Sequence, residues 1–240
     1  MHPGPEIFLI ASLAICFGAV LQASTGLGAG MITFPIIALL SLKLVPGPLV
    51  FSTLFLSIYM AYVGRADIRF TRMYTLAVGI IIGTLIGGYS LTLIPVQHLG
   101  VFFGLLLLLV VIISIAGVKL AINKRNMFSM GTAAGFMGIT VAGGSPFMAL
   151  MYQHEKGPTI RATLSLIYMF GCIFTITVLS ATGKFGAEEL LYGLYLTPGY
   201  IAGYVLSLKV RPYLDAGYSR IVILLISSLS AITLIMKSIS

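Results

Sequence analysis

LGVFFGLLLLLVVIISIAGV, the stretch from Leu99 to Val118, carries no charge and no proline. It reaches the ~20 apolar residues that an α-helix needs to cross a bilayer. Runs of the same grade recur along the chain, so the expected fold class is an all-α polytopic membrane protein with the lipid bilayer as its solvent. Composition agrees: 59% of the 240 residues are hydrophobic and 8% charged, against about a quarter charged in an average soluble domain. The net charge of +8 would suggest nucleic acid in a soluble protein. Here the basic residues fall in short loops between apolar runs, where they act as topology signals, and no nucleic-acid partner is expected. Residues 1–5, MHPGP, lack the basic start of a cleavable signal peptide, so none is expected. Cys16 and Cys172 both lie inside apolar runs. Buried free thiols acting as small hydrophobes are the expectation, with a disulfide or a sulfur relay left open.

Hydropathy and helix breakers predict apolar segments at 6–22, 30–42, 47–64, 73–93, 97–118, 127–142, 146–153, 160–182, 189–208 and 216–236. Two of them, Met31–Leu42 and Pro146–Gln153, are too short to span. Each follows a glycine-rich break, STGLGAG (Ser24–Gly30) or TVAGGSP (Thr140–Pro146). A long helix, a break and a short helix can form a hairpin that enters the membrane and returns. The order of parts also recurs 110 to 117 residues further on, which gives two repeats of about 115–120 residues. TGLGAG (Thr25–Gly30) matches TVAGGS (Thr140–Ser145), and GPLVFSTL (Gly47–Leu54) matches GPTIRATL (Gly157–Leu164). Gly83 and Gly87 match Gly199 and Gly203, and Pro95 matches Pro212. Residues 1–120 and 121–240 are therefore read as two membrane repeats.

If each hairpin returns to its own side, three full spans follow it in each repeat. One side of the membrane then collects Arg65, Arg69, Arg72, Lys119, Lys124, Arg125, Lys156, Arg161, Lys209, Arg211 and Arg220, eleven of the 14 Lys and Arg. The other keeps Lys43, Lys184 and Lys237. The first side is cytoplasmic by the positive-inside rule, and both termini face outward from the cell (inner) membrane. Three crossings is an odd number, so the two repeats are inverted relative to each other. Charge parity fits two full spans as well as a re-entrant hairpin; the short second arms favour re-entry.

Backbone outside a helix at membrane depth must be buried in protein or line a watery cavity. In an inverted pair of hairpins the two breaks meet near the midplane. The helices that begin near Gly30 and Ser145 present unpaired N–H groups there, and helix N-termini attract anions without an ionised side chain. Gly26, Gly28, Gly143 and Gly144 let a ligand approach the backbone, and Ser24, Thr25, Thr140 and Ser145 add hydroxyls. Broken helices at the interface of inverted repeats are a recurrent transporter site. Glycines that only let helices pack closely are the competing reading. A dinucleotide site fails, because no strand precedes the glycines.

TGLGAGMITFP followed by GPLVFSTL, then GFMGITVAGGSP and RATLS, resemble the sulfite exporter TauE/SafE family of anion permeases, also called the toluene sulfonate uptake permease family. The resemblance runs from Leu21 to the final helix. It implies a small anionic substrate of the sulfite or sulfonate class, no cofactor and no catalysis. It also implies that Arg161, at the start of a span, faces the cytoplasmic vestibule and attracts the anion, since a guanidinium matches a sulfo group bidentately. A snorkelling anchor is the plainer alternative.

Thr53 and Thr163 occupy matching positions after the hairpins, where their hydroxyls donate to an oxyanion or back-bond to their own helices. Gly79, Gly83 and Gly87, with Gly199 and Gly203, form small-residue faces for helix packing. Tyr59, Tyr62, Tyr192 and Tyr195 fit the aromatic belt. No Asp or Glu lies deep in a span, which weakens a proton relay or divalent-cation path. His154 and Glu155 are the adjacent titratable pair near the proposed path. An intramembrane enzyme is disfavoured: His2, His98 and His154 are not mid-span, and no HExxH or GxSxG occurs. No Walker motif supports ATP-driven transport. A carrier of another small anion and a non-transporting assembly or sensor subunit stay as alternatives. The oligomeric state is open, with a homodimer among the options.

Overall fold

The computed structural model describes residues 3–116, 121–152, 155–210, 225 and 228–237. Among them the regular elements are all helical: α1 (Pro5–Thr25), α2 (Gly30–Leu40), α3 (Gly47–Val63), α4 (Met73–Leu93), α5 (Leu99–Ala116), α6 (Lys124–Val141), α7 (Ser145–Tyr152), α8 (Gly157–Ala181) and α9 (Ala187–Val210). A further helix, α10, covers Ser228–Lys237. By length and composition α1, α4 and α8 are each able to cross a membrane. The predicted segments match these helices within a few residues. The segment 216–236 falls only partly among the described residues, and Lys119, His154, Arg211, Pro212, Asp215 and Arg220 lie outside them.

Local chemistry sets the boundaries. Prolines at the first turns of α1, α3 and α8 cost no hydrogen bond, because those N–H positions have no helical partner. α1 stops where Gly26 takes the left-handed conformation, φ 82°, and α6 stops where Ala142 does so at φ 49°. The helices are apolar on both faces, as lipid requires. On α1, Leu9, Leu13 and Phe17 face outward at four-residue spacing while Ala11, Ile15 and Ala19 are buried. On this helix the outward positions are large, while Ala11, Gly18 and Ala19 let neighbouring helices approach.

The small residues fix how helices meet. A Cβ on Gly79, Gly83 or Gly87 of α4 would run into Phe128, Thr132 and Phe136 of α6 in rising order, so these helices are parallel and touch by their backbones. Gly199 and Gly203 of α9 lie against Ser12 and Cys16 of α1 in the same manner. These are packing faces of the small-xxx-small kind. α3 runs antiparallel to α8, with Gly47 against Phe185 and Gly64 against Ala162.

Two hairpins occupy the middle. Gly18 of α1 lies against Ala29 and Thr33, so α2 folds back along α1. Both open ends of this hairpin reach the start of α9. Phe8 packs against Tyr192, tilted, and Tyr195, edge to face, with ring centroids at 5.5 and 5.4 Å, and Lys43, just past α2, pairs with Glu188 at 3.5 Å. The Lys237 ammonium at the end of α10 also donates to the Leu39 carbonyl, 3.0 Å. In the second hairpin α7 folds back against α6, with Gly144 on Ala134. Its open end is tied elsewhere: Glu155, just past α7, pairs with Arg69 in the α3–α4 connection.

Candidate functional site

The two turns meet tip to tip. A Cβ on Gly30 would overlap the Ala142 carbonyl oxygen, and one on Gly28 would sit 2.9 Å from the Ser145 Cβ. The first turn is closed by Gln22, whose backbone carbonyl accepts from the Gly26 N–H, 2.8 Å. Its side-chain Oε1 accepts from the Ala29 N–H at 2.7 Å, buried. Thr25 Oγ1 donates to the Leu21 carbonyl, 2.8 Å, and accepts from the Leu27 N–H, 3.1 Å. The Tyr168 hydroxyl reaches over from α8 and donates to the Gly26 carbonyl, 3.2 Å. Among the described residues the second turn is closed by backbone alone: Ala142 N–H donates to the Gly138 carbonyl at 3.2 Å and Gly143 N–H to that of Met137 at 3.0 Å.

Between the tips lies a cavity of about 80 Å³. Its polar lining is Gln22, Thr53, Thr84, Ser145, Tyr168, Cys172 and Thr175, and Gly28, Gly30, Gly135, Gly138, Gly144 and Gly171 bring backbone to its wall. No charged side chain among the described residues lines it. Gly30 and Ser145 begin α2 and α7, and the first N–H groups of a helix have no partner within it. Gly138 and Gly171 are unlike the packing glycines. A Cβ at either would meet nothing within 4 Å among the described residues. Glycine inside a helix costs roughly 0.5–1 kcal/mol relative to alanine, and here no neighbour demands it. Both face the cavity, so their missing side chains keep it open.

The structure sorts the residues singled out in the sequence. Gly28, Gly30, Thr53, Gly144 and Ser145 share the cavity wall. Thr53 back-bonds to the Leu49 carbonyl, 2.8 Å, and its hydroxyl and that of Tyr200 are hydrogen-bonded at 2.6 Å. Ser24, Thr25, Gly26, Thr140, Gly143, Arg161 and Thr163 stand off the wall. Thr25 and Gly26 build the first turn, and Thr140 back-bonds to the Phe136 carbonyl at 2.8 Å. A Cβ on Gly143 would face Val141 and Val110. Thr163 is fully buried and accepts from the Arg69 N–H, 2.9 Å, holding the α3–α4 connection. Arg161 Nη1 donates to the Ser24 carbonyl at 3.4 Å, beneath the first tip.

Gln22, Tyr168, Gly138, Gly171, Cys172 and Thr175 were not singled out for this cavity from the sequence. A glutamine in an otherwise apolar run just before a glycine break was a signal for the first. The others depend on which face of an all-apolar helix turns inward, and an all-apolar helix does not advertise that.

Fold and cavity together define a polytopic helical membrane protein with a small neutral chamber between two broken hairpins. The family model described as Sulfite exporter TauE/SafE matches residues 10–234, and the chain belongs to that family of membrane transporters. No curated protein and no solved structure matches the chain.

Proposed function

We propose that the chain is a secondary transporter of a small sulfur-containing oxyanion, such as sulfite or an organosulfonate, bound between the two hairpin tips and released by alternating access. The observation that carries this reading is a small cavity without charged side chains, held open by Gly138 and Gly171, with the starts of α2 and α7 and a few polar side chains set in a largely apolar wall. Its volume, about 80 Å³, lies well below the roughly 300–1,000 Å³ of sites for drug-sized ligands. A few-atom anion fits that scale better than a bulky aryl sulfonate.

The same reading treats residues 1–120 and 121–240 as inverted repeats with re-entrant hairpins. It is supported by the exchange in packing: α4 lies on α6 as α9 lies on α1, and each hairpin closes on opposite partners. Arg69 and Glu155 then mark the cytoplasmic side, Lys43 and Glu188 the outside, and both termini face out of the inner membrane. Arg161, tied to the first tip, raises the anion concentration at the cytoplasmic mouth. Export runs with an inside-negative potential, which favours outward anion movement by about 2.3 kcal/mol per charge per 100 mV.

Thermal unfolding across sulfite, sulfonates, thiosulfate, sulfate and small organic acids tests the substrate class. An anion at 100 times its Kd adds about 2.7 kcal/mol of stability, and absence of any shift rejects the reading. Flux into proteoliposomes clamped with potassium and valinomycin tests the energetics. Flux that follows an imposed pH gradient and ignores voltage replaces the potential-driven account with proton coupling. A preference for small carboxylates over sulfur oxyanions assigns the chain to another anion instead.

A further inference from the structure

Gln22 is 1% exposed and lines the cavity. Its Oε1 accepts from the Ala29 N–H at 2.7 Å. A backbone N–H can only donate, so this bond fixes which end of the amide is oxygen and which is nitrogen. The carboxamide nitrogen is thereby left with both of its N–H groups, and Nε2 is buried with no hydrogen-bond partner among the described residues. A buried donor without an acceptor is costly unless something else completes it.

The surroundings say what completes it. Gln22 stands four residues before the left-handed cap Gly26, and Gly138 stands four residues before the corresponding cap Ala142. Each gives its backbone carbonyl to the N–H of its cap. Both line the cavity, but one position carries a long amide and the other open space. Gln22 thus forms part of the wall of a chamber in which the matching side chain of the other hairpin is absent, and its buried amide nitrogen lies just behind that wall.

We propose that Gln22 is the specificity-determining residue of the anion site, its Nε2 donating to an oxyanion oxygen while Oε1 locks the turn. The inference rests on the anion-transport reading above. The amide is a neutral donor-only contact, so it favours ligands that present oxygen acceptors and opposes ligands that present ammonium or amide N–H groups. It recognises a sulfur oxyanion without a buried cation, whose desolvation would be costly at this depth.

The test exploits the double role. In Gln22→Glu one carboxylate oxygen still accepts from Ala29 N–H, so the turn survives, while the other meets the anion with like charge. Methanesulfonate keeps one charge from pH 5 to 8 and is the probe, with sulfite alongside at fixed pH. Of the cavity's side chains only Tyr168 and Cys172 titrate at all, with ordinary pKa values above that range. Wild-type protein in nanodiscs is expected to bind at both pH values. Burial raises the introduced acid above the ordinary carboxylate range. Gln22→Glu is therefore expected to bind as wild type does at pH 5, where the protonated acid donates as the amide does, and to lose about tenfold or more in affinity once the acid ionises as pH rises towards 8. Equal affinity of the two proteins at a pH where the carboxyl infrared band shows the acid ionised, or a loss that acid does not reverse, overturns the role of Gln22. Failure of wild-type protein to bind any anion overturns the underlying reading instead. Should the variant not fold, wild-type protein labelled with 15N-glutamine decides. The side-chain amide resonances of Gln22 must shift when the anion is added, with exposed Gln97 as internal control; unshifted Gln22 signals reject the proposal.

Discussion

The turn between α1 and α2 is braced by a side chain, whereas the turn between α6 and α7 is closed by backbone bonds alone among the described residues. In the first, Gln22 reaches across to Ala29, and glycine occupies the left-handed cap. In the second, the cap is Ala142 at φ 49°, a conformation that costs a residue with a Cβ roughly 1–2 kcal/mol. The first hairpin has the means to hold its own shape. The second keeps a strained cap pressed against Gly30 of its neighbour, so its geometry depends on the first. Two turns that share a task therefore share very little of its chemistry, and the ligand-facing consequence is a donor on one side and room on the other.

The harshest way to break this relation is Gly30→Ala. Its methyl would overlap the Ala142 carbonyl oxygen and lie close to the Ala142 Cβ, and backbone on both sides leaves little to give. We expect a loss of about 3 kcal/mol or more, read as a lowered unfolding temperature or loss of the monodisperse peak in detergent. A folded variant of unchanged stability would mean that the tips do not touch.

Gly138→Ala sharpens the donor-against-room contrast. The methyl meets nothing within 4 Å among the described residues and improves helix propensity, so stability should rise by about 0.5–1 kcal/mol. Because the methyl projects into the cavity, anion affinity should fall about tenfold, a loss of roughly 1.4 kcal/mol. The two quantities moving in opposite directions is the signature, read by thermal unfolding with and without the anion. If both rise, the space at Gly138 is not where the ligand sits.

Exchanging the caps should have opposite signs. Gly26→Ala puts a Cβ at φ 82° and 3.1 Å from the Arg161 Cα, and should destabilise by about 1–2 kcal/mol. Ala142→Gly relieves the left-handed conformation and should be neutral or stabilising by up to about 1 kcal/mol. Equal destabilisation by both would show that the two turns are not unequally strained.

The smallest effects belong to the ion pairs at the open ends. Lys43 with Glu188 is half-exposed on both sides, whereas Glu155, facing Arg69, is only 19% exposed. Exposed pairs contribute roughly 0–1 kcal/mol and are screened by salt. Glu155→Gln should therefore lower stability by several tenths of a kcal/mol and Glu188→Gln by less, with the difference shrinking in high salt.

Much of the architecture was legible because lipid imposes one rule on every helix: long apolar runs must be helical, and glycine or proline must mark their ends. The breaks at 26–29 and 142–144, the short arms after them and the glycine faces at Gly79, Gly83, Gly87, Gly199 and Gly203 follow from that rule. The cavity wall was less legible. Thr163 looks like an oxyanion donor, but it is fully buried off the cavity wall, where its Oγ1 accepts from the Arg69 N–H, distant in sequence. Gly143 looks equivalent to Gly144, but the left-handed cap rotates the first away from the chamber and the second onto it. Gln22 required knowing that one of its ends is taken. These facts depend on contacts between helices, and periodicity is silent about them when a helix is apolar all round.

The parallel contact of α1 with α9 has a consequence for biosynthesis. α6 emerges soon after α4, its partner, so that pair can dock while the chain is still being made. α1, which ends at Thr25, must wait for a helix that begins at Ala187, a delay of roughly 10–30 s at the usual pace of about 5–20 residues per second. For most of that interval its glycine-bearing turn and buried glutamine have neither α8, which is complete only at Ala181, nor α9 alongside. The nascent first hairpin is thus a natural client for the insertion machinery, and slow steps in its membrane assembly should track the arrival of α9.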